Sequence, residues 1–156
     1  MLSIFGGKIT TYRRLAQHAL AKLDRYLPAK ARHHSDWTGR SPLPGGDFPV
    51  QGFEALAKDI SREYSWLGAH HSRRLARAYG TRTRAVLDGA TNWTALGADF
   101  GNGLTEAEVL YLMREEWAEN AADVVWRRSK FGLRLSPDQV SALENFMARQ
   151  RAQVGA

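Results

Sequence analysis

Two helix starts written into the second half of this chain do most to limit its fold. "TEAE" (Thr105 to Glu108) and "SPDQ" (Ser136 to Gln139) each set a hydroxyl residue three positions ahead of Glu or Gln, and the second adds proline at the first helical position. Both read as capping boxes, with Glu108 expected to reach back to Thr105. Behind the first runs an apolar stripe at helical spacing, Leu110, Met113, Trp117, Ala121 and Val124, which predicts a helix to about Arg128. Val140, Leu143 and Met147 give the last helix its buried face. Upstream, Phe53, Leu56, Ala57, Ile60 and Tyr64 repeat the period. Shorter helices are expected around Leu75, Ala76 and Tyr79, stopped by Gly80, and around Val86 and Leu87, ending near Gly89. "TNWTALGADFGNG" reads as loop. No period-two alternation competes, apart from the few residues before Gly6. The expected class is all-α: a helical bundle over residues 50–156.

The N-terminal third is organised differently. In "LSIFGGKITTYRRLAQHAL" two glycines and a lysine separate a short apolar run from a basic helix-forming run. Residues 1–27 therefore read as strand, Gly-Gly-Lys turn and helix, with apolar positions Tyr12, Ala16, Ala19, Leu20, Leu23 and Leu27 and a stop at Pro28. Residues 28–49 have no periodicity and several Gly and Pro, the composition of a linker. The charge follows this division: residues 1–46 hold eight Lys/Arg against two Asp/Glu, whereas 47–104 hold seven against six and 105–156 seven against eight. The net charge of +6 thus belongs to the first third. A basic segment suits an anionic membrane surface, a phosphorylated substrate or an acidic neighbour, and no nucleic-acid recognition motif accompanies it. The chain has no cysteine, which excludes disulfides and thiolate metal sites. No apolar run is long enough to span a bilayer, and the N-terminus lacks the order of a signal peptide; the simplest reading is soluble and cytoplasmic.

The side chains able to do chemistry are few. His18, His33–His34 and His70–His71 lack the one-turn spacing that puts two imidazoles on one metal, so no metal site is expected. Walker, dinucleotide-glycine and nucleophile-elbow motifs are absent. The densest polar-aromatic cluster is "EEWAENAADVVWRRSKFG" (Glu115 to Gly132). Asp123 and Arg127 stand four apart in the favourable acid-before-base order. Glu116 lies near the apolar stripe and, if buried, needs a partner that Arg127 or Arg128 could supply. A carboxylate working beside a guanidinium is one reading; ion pairs fastening this helix to its neighbours are the other, and the residues favour the lock.

"FGGKITTYR", "LPGGD" (Leu43 to Asp47), "ARAYGTRTRAVL" (Ala76 to Leu87) and "DFGNGLTEAEVLYLMREEWAENAADVVWRRSKFGL" together resemble, in collinear order, the C-terminal part of FAD-dependent glycerol-3-phosphate dehydrogenases of the respiratory, quinone-reducing type. The resemblance implies a helical cap domain preceded by the last turn and helix of a flavin-binding domain. It implies that Gly6, Gly7, Lys8, Ile9 and Thr10 face FAD, with Lys8 also beside the substrate, glycerol 3-phosphate. The family's dinucleotide-binding glycine motif is absent here, so the chain by itself is expected to hold no flavin and to be inactive. The partners implied are the upstream flavoenzyme, a quinone, the inner face of the cytoplasmic membrane and a second subunit. A stand-alone helical interaction or dimerisation module, and a basic nucleic-acid-binding domain, are the alternatives.

Overall fold

The computed structural model describes residues 2–28 and 37–154 and divides into two compact units, Met1–Leu43 and Pro44–Ala156. His33 and His34 lie outside the described residues.

In the first unit, residues 2–8 carry no helix and no ladder partner among the described residues, so the apolar run before Gly6 does not form a strand. A 3-10 turn, Ile9–Thr11, leads into α1, Tyr12–Leu23, and a second 3-10 turn, Asp24–Tyr26, closes it. Arg13 and Gln17 on α1 hydrogen-bond the Thr38 hydroxyl at 3.3 and 2.8 Å, beside the 3-10 turn Trp37–Gly39. None of the described residues of this unit is buried. Phe5 (94% exposed) and Ile9 (87%) stand in solvent.

The second unit is helical. It contains α2 (Phe53–Glu63), α3 (Ala69–Tyr79), α4 (Thr83–Leu87), α5 (Glu106–Glu115) and α6 (Pro137–Val154), with a π-helical turn at Asp123–Arg128. The expected all-α class holds, and an isolated bridge, Asp99 to Thr105, is its one β feature among the described residues. Leu75, Val86, Leu87, Leu104, Val109, Leu112, Val124, Leu143 and Met147 form the main core. α2 is fastened separately, through Leu56, Ala57, Ile60 and Ala76 of α3. Each buried Leu, Ile, Val or Met among them contributes about 1.5–3 kcal/mol by leaving water.

The last capping box forms reciprocally: the Gln139 amide donates to Ser136 Oγ at 3.2 Å, and the Ser136 amide to Gln139 Oε1 at 2.9 Å. The first forms by half. Thr105 Oγ1 accepts from the Glu108 amide at 3.5 Å, but the Glu108 carboxylate turns inward to other partners. The helix expected to run on to Arg128 also breaks, since α5 ends at Glu115 and an irregular segment, 116–120, precedes the next helical residues. Trp117, expected on the buried stripe, is 83% exposed, while Val109, Tyr111 and Leu112 take the core face and Leu110 and Met113 are only partly buried. Within the stretch read as loop, a 3-10 turn, Trp93–Leu96, is capped by Asn92, and Leu96 and Phe100 enter the core.

Candidate functional site

Three arrangements could carry function. The first is the glycine turn. Gly6 and Gly7 have φ of +76° and +129°, a backbone open to glycine and rarely to other residues. A Cβ on Gly6 would meet nothing within 4 Å, so the backbone edge there is bare. The Lys8 carbonyl accepts the Thr11 amide and hydroxyl, both at 3.0 Å, which sets Lys8 just ahead of the first helical turn. The first amides of such a turn have no intrahelical acceptor. Gly6, Gly7, Lys8, Ile9 and Thr10 are all exposed.

The second arrangement went unseen in the sequence. α3 and α5 bring Arg74, Tyr79 and Glu108 together in the interior. Arg74 grips the Glu108 carboxylate with both ends of its fork, at 2.8 and 2.7 Å, and donates to the Gly103 carbonyl at 2.9 Å. The Tyr79 hydroxyl donates to the same carboxylate at 2.7 Å. Burial, and then the adjacent Glu108 charge, pushes the Tyr79 phenol far above its ordinary range. Burial opposes the Arg74 charge, yet the Glu108 carboxylate outweighs it and holds the guanidinium above its usual value. Glu108 is 1% exposed. With the Glu108 carboxylate taken up by Arg74 and Tyr79, this cluster fastens α3 to α5. His71 stacks edge-on against Trp93 at 4.8 Å, its Nε2 without a hydrogen-bond partner. Burial, then Arg74 and His70, lowers its pKa.

The third is a cleft of about 420 Å³ whose lining includes Arg82, Tyr111, Glu115, Glu116, Trp117 and Arg128. Arg82 pairs with Glu115 at 3.3 Å. The ion pairs expected nearby are realised unequally. Arg127 meets Asp123 at 2.8 Å, whereas Arg128 donates from Nε to the backbone carbonyl of Glu116 at 2.7 Å and not to its carboxylate. The Asp123 carboxyl is held below its ordinary value first by the Glu119 amide, then by the Asn120 amide and Arg127. These contacts brace a turn within residues 116–128. Among the described residues no three His, Asp or Glu stand together to hold a metal ion, and no helix is long and apolar enough to cross a membrane.

The described residues thus define a helical domain preceded by a glycine turn, with its buried charges committed to holding helices together. Residues 37–153 match the family described as the C-terminal domain of alpha-glycerophosphate oxidase. The chain belongs to that family. It is 46% identical over 147 residues to a glycerol-3-phosphate dehydrogenase of Pseudomonas aeruginosa, covering 94% of this chain and 28% of the relative. The aerobic glycerol-3-phosphate dehydrogenase of Escherichia coli is 39% identical over 153 residues (98% and 30%), and the D-erythritol 1-phosphate dehydrogenase of Brucella abortus 39% over 142 residues (91% and 28%). The chain spans less than a third of the length of these relatives.

Proposed function

We propose that this chain supplies the C-terminal domain, with the last flavin-facing turn, of an FAD-dependent dehydrogenase that oxidises sn-glycerol 3-phosphate to dihydroxyacetone phosphate. The collinear match to the P. aeruginosa dehydrogenase over 94% of the chain carries this reading. The glycine turn fits the role. Its bare backbone edge at Gly6 allows close approach of a planar ring, and the amides of Gly7 to Thr10 lead into a helix N-terminus that favours negative charge. FAD, when bound, supplies the hydride acceptor. Lys8 adds a full positive charge beside the substrate. The same reading has the complete enzyme passing electrons to a quinone at the inner face of the cytoplasmic membrane, as a peripheral homodimer, while residues 1–156 alone hold no flavin and oxidise nothing.

The test is a chimera in which this chain replaces the matching part of the P. aeruginosa enzyme. It should bind flavin and oxidise glycerol 3-phosphate. Lys8→Ala in that chimera should lower kcat/KM roughly ten- to hundredfold, the loss of one charge-assisted contact. A folded chimera without flavin, or one indifferent to Lys8→Ala, counts against the reading.

A further inference from the structure

The loop between α5 and the π-helical turn displays Trp117 in a way that the packing of this domain does not explain. Trp117 is 83% exposed with φ +55°, a left-handed conformation that bulky residues rarely adopt. The loop is nevertheless held rigidly. The amides of Glu116 and Ala118 both donate to the Leu112 carbonyl at 3.1 Å, and Arg128 binds the Glu116 carbonyl. The Asp123 carboxylate accepts the amides of Glu119 and Asn120 at 2.9 and 3.2 Å, and Glu144 accepts that of Ala121 at 2.6 Å. Ala118, next in sequence, is buried. A large indole fixed in solvent on a strained, braced loop is preorganised for a contact, because little freedom is left to lose on binding. The cleft beside it offers Arg82 and Arg128. Trp and Arg are among the side chains that most often anchor protein interfaces.

We infer that Trp117 and the adjoining cleft form the surface through which this domain docks onto the remainder of its own enzyme, with the indole entering an apolar socket there. This rests on the reading under Proposed function. The occupant follows from length: the relatives carry more than two thirds of their chain outside the matched part, and the matched family is a C-terminal domain. On that reading the larger portion presents a surface to this one.

The same chimera and the 156-residue chain test it together. Trp117→Gly relieves the backbone strain, so in the chain alone the thermal midpoint should stay unchanged or rise. In the chimera the same change should accelerate flavin release at a fixed urea concentration by at least about tenfold, as loss of an anchoring aromatic does. Trp117→Phe should restore most of the difference. Flavin release that ignores Trp117→Gly overturns the surface alone. Equal destabilisation of the isolated chain makes Trp117 an internal packing residue and also overturns it. An isolated chain that sediments as a dimer, and as a monomer after Trp117→Gly, assigns the loop to a second copy instead. A chimera that never holds flavin overturns both this inference and the reading beneath it.

Discussion

Glu108 shows how a residue's role depends on what comes to meet it. Its position in "TEAE" announced a capping carboxylate, but it lies four residues before Leu112 and one before Val109, on the face that α5 buries. Once inside, a carboxylate requires strong partners, and Arg74 and Tyr79 on α3 provide them. That arrangement depends on two helices meeting across 34 positions of sequence, which no local pattern discloses. Glu108→Gln should leave Arg74 charged and half-buried without its counter-ion, costing about 3–5 kcal/mol in urea unfolding of the chain. Gly80 is the opposite case, legible from the start as a helix stop. Its φ of +57° ends α3, and a Cβ there would press into the Gly45 carbonyl. Gly80→Ala should cost at least about 2 kcal/mol from strain and collision together, read as a lower thermal midpoint. His71 sets a pH dependence. Its imidazole pKa is lower in the folded chain than the unfolded value of about 6.5, so the unfolded state takes up protons first as pH falls. Its contribution is fully present above about pH 6.5 and is lost below, towards the folded pKa. His71→Leu should flatten the decline in thermal midpoint below pH 6.5; an unchanged slope would assign that decline to other groups.

At the scale of elements, starts were more legible than ends. Caps are local chemistry, and Ser136, Pro137 and Gln139 produce at α6 what their order implies. Ser136→Ala should therefore cost about 1 kcal/mol in chemical unfolding, within the usual range for a cap. The break after Glu115 has no such local signature. The apolar spacing from Leu110 to Val124 is continuous, and a helix through it would satisfy every local preference. The fold instead commits Ala118, Ala121, Val124 and Val125 to the core, which requires a bend between α5 and residue 121. Trp117 is at that bend with positive φ, and Asp123 and Arg128 supply the hydrogen bonds that close it. The Asp123–Arg127 pair at four-residue spacing was thus readable, but its setting in a π-helical turn was not. Composition likewise marked residues 91–103 as loop and said nothing of the depth reached by Leu96 and Phe100, because an isolated apolar residue between glycines carries no period.

For the molecule as a whole, the two units differ in what holds them. The second has a core of its own, and Gly45 and Asp47 bind its leading segment to the 3-10 turn Gly80–Arg82, between α3 and α4, through the Thr81 amide, at 3.1 Å, and the Thr81 hydroxyl. The first has none. α1 has 12 residues, a length at which an isolated helix is marginal in water, and Tyr12 and Leu20 on it are more than half exposed. Such a helix is stable only when its apolar side chains are covered, each large one contributing about 1.5–3 kcal/mol. In the 156-residue chain, hydrogen exchange should therefore find the amides of α1 protected by less than about tenfold over a free peptide. Those of α3 and α5 should exchange only with global unfolding. Residues 44–156 prepared alone should melt in one cooperative transition, within a few degrees of the full chain. Within the chimera, where on our reading the flavin domain covers them, the α1 amides should slow by at least a hundredfold, or about 2.7 kcal/mol. If α1 is as well protected in the 156-residue chain as α3, the first unit is stable on its own side chains and needs no covering domain.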